Sequence, residues 1–285
     1  MKSTAVLLFS IPVPLARKGV VAAISQFLVA HNGSVLHTDD HVDSERGLFL
    51  SRLEWDLDGF DIPLAEFDEH FKPVADRFLI KYHLAPTDYR PKMVILVSSY
   101  DHCLADLLYR RSTGELMCDI VRIISNHSTA QRLAQFYEIP FHQLTHPQDK
   151  GECEREMIGL IGQDVDIVVL ARYMQILSPE FVAQYLLRII NIHHSFLPAF
   201  VGARPYHQAF ERGVKLIGAT SHYVTAGLDE GPIIEQDVAR ISHRDTVEEM
   251  VRKGRDLERV VLSRAVRWHL EHRVLVYQNK TVVFV

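Results

Sequence analysis

The sequence predicts an α/β protein built of two unlike parts. Up to residue 85, strand and helix patterns follow one another in the order βαββαβ, which is that of a ferredoxin-like unit. A polar stretch with two prolines then interrupts the pattern. From Met93 onward, short apolar runs alternate with amphipathic segments, the mark of a Rossmann-like unit with a mostly parallel sheet covered on both faces.

Thr4–Ile11 reads as a strand. Arg17–His31 places Val20, Val21, Ile24, Phe27 and Leu28 at helical spacing and closes on Asn32-Gly33, a helix-stop signal. Ser34–Val42 and Leu48–Trp55 are strands joined by the turn Ser44-Glu45-Arg46-Gly47. Pro63 opens a second helix with Leu64, Phe67, Phe71 and Val74 on one side, and Arg77–Leu84 supplies a last strand. Residues 86–92 form the linker, so the expected domains are 1–85 and 93–285.

In the second part, Met93–Val97, Asp119–Ser125, Asp166–Ala171 and Arg188–Ile192 are the apolar strands. Helices are expected at Leu104–Arg111, Gln131–Tyr137, Glu154–Ile161 and from Pro179. Leu216–Val224 and Ile233–Ile241 are later strands. Thr246 to about Glu271 is a long amphipathic helix, and Arg273–Val285 a hairpin turned at Asn279-Lys280.

A net charge of −5 gives no general electrostatic reason to bind nucleic acid or an anionic membrane. Cys103, Cys118 and Cys153 show no paired spacing, which fits a reducing cytoplasm. The opening run Ala5–Phe9 is too short for a secretory leader, and no run is long enough to span a membrane.

The chemistry gathers at Asn191-Ile192-His193-His194-Ser195-Phe196-Leu197-Pro198, where a buried strand gives way to a loop. Strand alternation puts Asn191 and His193 on one face, at the sheet edge where α/β proteins bind ligands. A second stretch holds His222-Tyr223-Val224 and then Leu228-Asp229-Glu230-Gly231-Pro232 in a loop made tight by Gly227, Gly231 and Pro232. If that loop abuts the first stretch, an amide, an imidazole and a carboxylate share one site. The carboxylate favours the imidazolium, the imidazolium donates a proton, and the amide donates to a carbonyl oxygen gaining charge. Together they suit acyl transfer.

These motifs resemble the formyltransferase family that uses 10-formyltetrahydrofolate, over the span from about Met93 to the end of the chain. Leu170-Ala171-Arg172-Tyr173-Met174-Gln175-Ile176-Leu177-Ser178-Pro179 is similar to the family's folate-binding segment. Residues 193–206, His102-Cys103-Leu104 with Asp106-Leu107-Leu108, and Gly254-Arg255-Asp256 are most similar to its deformylase branch. The resemblance implies Asn191 as carbonyl-oxygen donor, His193 as proton-transfer group, and Asp229 as the carboxylate that tunes the histidine and positions water. It implies that backbone at Met174, Gln175, Ile176 and Leu177 holds the pterin, with His194 and His222 beside the substrate. It further implies hydrolysis to tetrahydrofolate and formate, with formate feeding purine synthesis, and no permanently bound cofactor or metal.

One departure bears on the acceptor. The transformylases acting on glycinamide ribonucleotide cradle its phosphate in a Gly-Ser-Asn turn after the first strand. Here that stretch is Ser98-Ser99-Tyr100-Asp101-His102-Cys103-Leu104, without glycine and with an acidic Asp101, which leaves water as the nucleophile. The first part resembles an ACT domain, which implies an amino-acid effector such as glycine or methionine and assembly into a dimer or tetramer. Its first loop has Gly19, but Ile11–Lys18 lacks the usual acidic residue.

Blander readings stand beside these. A lone Asn-x-His at a strand end is ordinarily a satisfied turn. His194 is as readily a backbone partner as a substrate contact, His222 a structural partner of the Asp229 loop, and Ser195 a support, with no Gly-x-Ser-x-Gly around it. Asp101 and His102 cap the following helix. Sixteen histidines include no His-Glu-x-x-His, and the adjacent His193 and His194 would face opposite ways on a strand. Arg252, Lys253, Arg255, Arg259, Arg264 and Arg267 read as a solvated helix face, some of them near a folate glutamate tail. Formyl transfer to a ribonucleotide amine and a non-catalytic folate- or amino-acid-binding regulator are the competing functions.

Overall fold

The computed structural model describes residues 3–16, 19–145, 148–199 and 204–285. They form two compact units. The first contains β1 (Thr4–Pro12), the single turn α1 (Val13–Ala16), α2 (Val20–Ala30), β2 (Ser34–Asp43), β3 (Leu48–Asp56), α3 (Phe67–Phe78) and β4 (Lys81–Pro86). Its antiparallel sheet runs β2-β3-β1-β4, the ferredoxin-like arrangement that the sequence pattern predicts. Strand alternation explains why β1 is apolar throughout. Leu7, Phe9 and Ile11 point into a core with Ile24 and Leu28 of α2 and Phe67 and Phe71 of α3. Val6 and Leu8 face the other way, against Leu50 and Phe284. Trp55, Phe67, Phe71 and Tyr82 pack ring on ring, with centroids 5.1–5.7 Å apart for Trp55–Phe67, Phe67–Phe71 and Phe71–Tyr82. Each such pair adds roughly 1 kcal/mol beyond area burial.

The second unit is Arg90–Leu270 with Gln278–Lys280. In order it holds β5 (Lys92–Val97), α4 (His102–Ser112), β6 (Asp119–Ser125), α5 (Gln131–Phe136), β7 (Phe141–Gln143), α6 (Lys150–Ile161), β8 (Ile167–Leu170), α7 (Pro179–Gln184) and β9 (Ile189–His193). There follow α8 (Pro205–Arg212), β10 (Leu216–Tyr223), β11 (Ile233–Arg240) and α9 (Val247–Leu270). The sheet order is β11-β10-β9-β8-β5-β6-β7, parallel from β7 through to β9, with β10 antiparallel to both its neighbours. The chain lays β5, β6 and β7 to one side and then returns to place β8 and β9 on the other. Between β5 and β8 lies the topological switch, where ligands bind in open α/β sheets.

Five features depart from the sequence reading. The turn α1 and the short edge strand β7 carry too little periodicity to be read, and the helix α8, opened by Pro205 and amphipathic, goes unread. β4 starts at Lys81 rather than Arg77, because α3 continues to Phe78 and ends on a left-handed Leu79. The terminal hairpin, β12 (Val274–Tyr277) and β13 (Lys280–Val283), belongs mostly with the first unit. Leu275, Tyr277, Val282 and Phe284 lie against the Val6–Leu8–Leu50 face of its sheet, so burial of that face draws the chain end away from the 93–285 span in which the sequence pattern had placed it. The effector loop includes Arg17 and Lys18, which lie outside the described residues, as do residues 200–203 of the 193–206 motif.

Candidate active site

Three segments meet outside the carboxyl ends of β5, β8 and β9. Arg172–Leu177 leaves β8 and is pinned at both ends. Near its start the Met174 N–H donates to Ser98 Oγ at 3.1 Å, and the Ser98 N–H donates to the Arg172 carbonyl. At its far end the Ser178 N–H donates to buried Glu154 at 2.7 Å, the Ser178 hydroxyl also reaches Glu154, and Ser178 Oγ caps α7 by accepting from Phe181 N–H. Between these anchors Met174 and Ile176 leave apolar side chains half or more exposed. The same segment, with Asn191, His193, His194, His222 and Asp229, lines one cavity of about 480 Å³.

The antiparallel register of β9 with β10 sets Asn191 directly opposite His222. A bulge between Ser221 and His222 interrupts the β10–β11 ladder at that point, the kind of irregularity that re-aims a side chain beside a site. Asp229 reaches in from the loop between β10 and β11 with a left-handed backbone, φ 55°. Two residues on, the loop closes on Gly231, where a Cβ would stand 1.7 Å from the Tyr223 carbonyl oxygen; only glycine fits.

The carboxylate of Asp229 touches both imidazoles. His193 Nδ1 is 3.1 Å from Oδ2, and His222 Nε2 is 3.5 Å from Oδ1. Burial would raise the Asp229 carboxyl, but the adjoining His193 and His222 imidazoles outweigh it and hold the group well below the usual carboxylate range. Hydrogen-bond bookkeeping then fixes the other protons. His222 Nδ1 donates to the Tyr223 carbonyl at 2.9 Å, so in the neutral ring Nε2 accepts, and Asn191 Nδ2 donates to it at 3.2 Å. That interaction turns the amide so that its second N–H is free for another acceptor. Ser195 gives its one hydroxyl proton to the Ala199 carbonyl at 2.7 Å, so its oxygen accepts from His193 Nε2 at 2.8 Å. Both nitrogens of His193 therefore face acceptors, one of them charged.

The structure thus brings Asn191, His193 and Asp229 together, and His222 belongs to the same cluster. Ser195 is a support for His193. His194 does not turn away as strand alternation implied. β9 ends at His193, the rings of His193 and His194 lie 5.4 Å apart, and both line the cavity. Burial, then the nearby Arg172 charge, pushes the His194 imidazole down to about 4, so it is neutral at ordinary pH.

Two expectations at the mouth of α4 are corrected. Asp101 occupies the cap position of α4 but makes no side-chain cap bond, and His102 Nε2 instead meets Glu258 of α9 at 2.7 Å. Tyr206 donates to the same buried carboxylate at 2.8 Å. Burial would raise Glu258, but His102, Arg172 and Tyr206 together hold it low. The basic face of α9 is ion-paired rather than merely solvated: Lys253 with Asp245, Arg259 with Asp256, Arg264 with Asp237. Arg255 and Arg172 both approach the Tyr100 ring, 5.3 and 5.4 Å from its centroid, so the stretch that carries the acidic Asp101 also has two cations beside it, and the missing glycine turn is what sets it apart.

The sequence reading missed Glu258, hidden among the arginines of α9, and gave Arg172 no part of its own. A left-handed non-glycine residue inside the folate-like segment was a signal only coordinates reveal. Among the described residues, His102, Cys103 and Glu258 form the one cluster with metal-ligand atoms in reach of each other. Arg172 Nε stands 3.5 Å from the Glu258 oxygen in question, and burial, with the Glu258 charge, pushes the Cys103 thiol far up. A cation already sits where a dication would go, and the thiol keeps its proton.

Fold and site together define a formyl-transfer type of α/β protein, and the comparisons with known proteins agree. The formyl transferase family model matches residues 91–266. A formyltetrahydrofolate deformylase of Synechocystis sp. is 52% identical over 283 residues, covering 99% of this chain and 98% of that one. The crystal structure of a formyltetrahydrofolate deformylase from Pseudomonas syringae superposes with a TM-score of 0.95 at 48% identity, covering 100% of this chain and 95% of that one. A glycinamide ribonucleotide transformylase from Symbiobacterium toebii aligns at TM-score 0.67 and 27% identity, over 71% of this chain and 98% of that one. The chain belongs to the formyltetrahydrofolate deformylase family.

A depressed carboxyl stabilises the fold above its unfolded value, about 3.9 for aspartate, and that contribution is lost as pH falls from there toward the folded value. The melting temperature of Asp229→Asn should therefore lie below that of the parent protein at pH 7, and the gap should narrow below about pH 4. Calorimetry across that range checks this; a gap independent of pH would mean that the ion pair carries no such stabilisation.

Proposed function

We propose that the chain hydrolyses 10-formyltetrahydrofolate to tetrahydrofolate and formate. The observation that carries this reading is the shared carboxylate: Asp229 holds His193 and His222 beside an amide that has one donor to spare. In the reaction, the free N–H of Asn191 donates to the formyl oxygen, which gains charge as water adds to the formyl carbon. Asp229 accepts from that water or keeps His193 charged and aligned. His193 delivers its Nε2 proton to N10, giving up its bond to Ser195, the carbon–nitrogen bond breaks, and the folate amine leaves. Ser195 and His222 orient His193 and Asn191. The anchored segment Met174–Leu177 holds the pterin, with His194 at the formyl end. No step calls on a metal or a resident cofactor.

The alternative, transfer to a ribonucleotide amine, is disfavoured by the absence of glycine from Ser98–Leu104. The intact cluster disfavours a non-catalytic regulator. By the same reading the protein works in the cytoplasm and supplies formate for purine synthesis. Among the described residues no helix is long and apolar enough to cross a membrane. The first unit is read as an ACT-like assembly module on the strength of its βαββαβ order and sheet topology. It would support a homodimer or homotetramer and an amino-acid effector such as glycine or methionine. Sedimentation velocity is expected to give two or four chains; a monomer at micromolar concentration contradicts that role.

Purified protein should release formate from 10-formyltetrahydrofolate with no added acceptor, and added glycinamide ribonucleotide should not speed it. His193→Ala and Asp229→Asn should each lower kcat by roughly 10²–10⁴ with little change in KM, because they remove help given mainly in the transition state. Turnover that depends on the ribonucleotide, or losses confined to KM, would overturn the assignment.

A further inference from the structure

Hydrolysis makes a charge that formyl transfer to an amine does not. Water oxygen bonds to the formyl carbon, the carbon–N10 bond breaks, and N10 takes up a proton. The detached acid then loses its own proton to become formate. A hydrolase therefore has to accommodate a small carboxylate on the side from which water attacked, and a transferase does not.

The cavity has a cation there. Arg172 lies on its wall with a side chain 9% exposed, and neither Nε nor Nη1 has a hydrogen-bond acceptor among the described residues. Its carboxylate partner, Glu258, stands 3.5 Å from Nε without a hydrogen bond, and hydrogen-bonds instead with Tyr206 and His102. The guanidinium is thus positioned by Glu258 and by the Tyr100 ring but not used up. Its backbone is left-handed, φ 63°, a costly conformation for a residue with a Cβ, and such conformations gather at functional sites.

The surroundings point the same way. His102, Tyr206, Gly254 and Arg255 converge on the group that holds this arginine. His102 and Tyr206 hold Glu258, and Arg255 shares the Tyr100 ring. Gly254 lets Tyr206 reach in, since a Cβ there would stand 1.9 Å from the Tyr206 hydroxyl oxygen. His194, whose ring is 6.2 Å from that of Tyr206, lies between this group and His193.

We infer that Arg172, with His194 beside it, is the docking site for the formate carboxylate, a product site on the acceptor side of the cavity. This rests on the hydrolase reading. The same cation chemistry would suit another small carboxylate, the folate's own glutamate, and the test separates the two. Arg172 binds product directly, while Glu258, His102 and Tyr206 are positioning residues.

The probe is ¹³C-labelled sodium formate, titrated at constant ionic strength against the full-length protein, Arg172→Gln and Arg172→Lys, with line broadening as the readout. A parallel titration uses p-aminobenzoylglutamate. Charged hydrogen bonds of this kind correspond to about 10–100-fold in affinity, so Arg172→Gln should weaken formate binding by at least roughly tenfold, with Arg172→Lys in between. Formate inhibition of turnover should weaken in parallel. Unchanged melting temperatures establish that the variants fold; should Arg172→Gln unfold, the parent protein and Arg172→Lys decide alone. Formate binding that is absent, equal in all variants, or displaced by chloride overturns the inference. So does a loss confined to p-aminobenzoylglutamate. Formate release by the parent protein is scored separately, so failure of the hydrolase reading shows as no release, and failure of this inference as release without Arg172-dependent formate binding.

Discussion

One largely enclosed carboxylate, its side chain 12% exposed, governs the second unit. Asp229 sits between His193 and His222, and isolating such a charge from water is costly unless it is paired. Much of the local architecture meets that demand. The β9–β10 register brings His222 opposite Asn191, the bulge at Ser221 turns His222, and Gly231 lets the Asp229 loop close tightly over the strand ends. The return is a fixed set of donors. Each proton in the chain from Tyr223 through His222 and Asn191, and from Ala199 through Ser195 and His193, has one place to go.

A second buried carboxylate, Glu258, organises the neighbouring wall. It differs from Asp229 in what it holds. Its partners are an arginine, a tyrosine and a histidine from three separate elements or loops, and it leaves the arginine with donors unspent. The cavity therefore has two electrostatic ends. On the proposed reading, one moves protons around a reacting carbon, and the other presents a fixed positive charge.

How much of this was legible beforehand depends on the range of the interaction. Helices and strands with strong apolar periodicity, such as β1, β6 and α9, read directly from spacing, because burial of one face is a local pattern. Asn191, His193 and Asp229 were legible through motifs whose spacing the chemistry requires. The structure brings them together, though sequence alone carried no proof that the two loops meet. Elements barely longer than one period, such as α1 and β7, were not legible. Nor was Glu258, since its signal is tertiary: a lone acid in a basic helix is indistinguishable from a solvated ion pair until His102 and Tyr206 are seen to reach it. The expectation that His193 and His194 face opposite ways fails because alternation holds only while the strand lasts, and β9 stops at His193. The terminal hairpin was assigned to the wrong side of the boundary for a similar reason: its apolar residues do not say which sheet they cover.

The central claim is that Asp229 and His193 act as one unit on the reacting carbon, and a double-mutant cycle on formate release tests it most directly. If the two are one device, the double variant Asp229→Asn with His193→Ala should be no slower than the slower single variant, because the second change removes nothing that still functions. Losses that multiply, so that the double variant falls by the product of the two single effects, would show two independent groups and contradict the account.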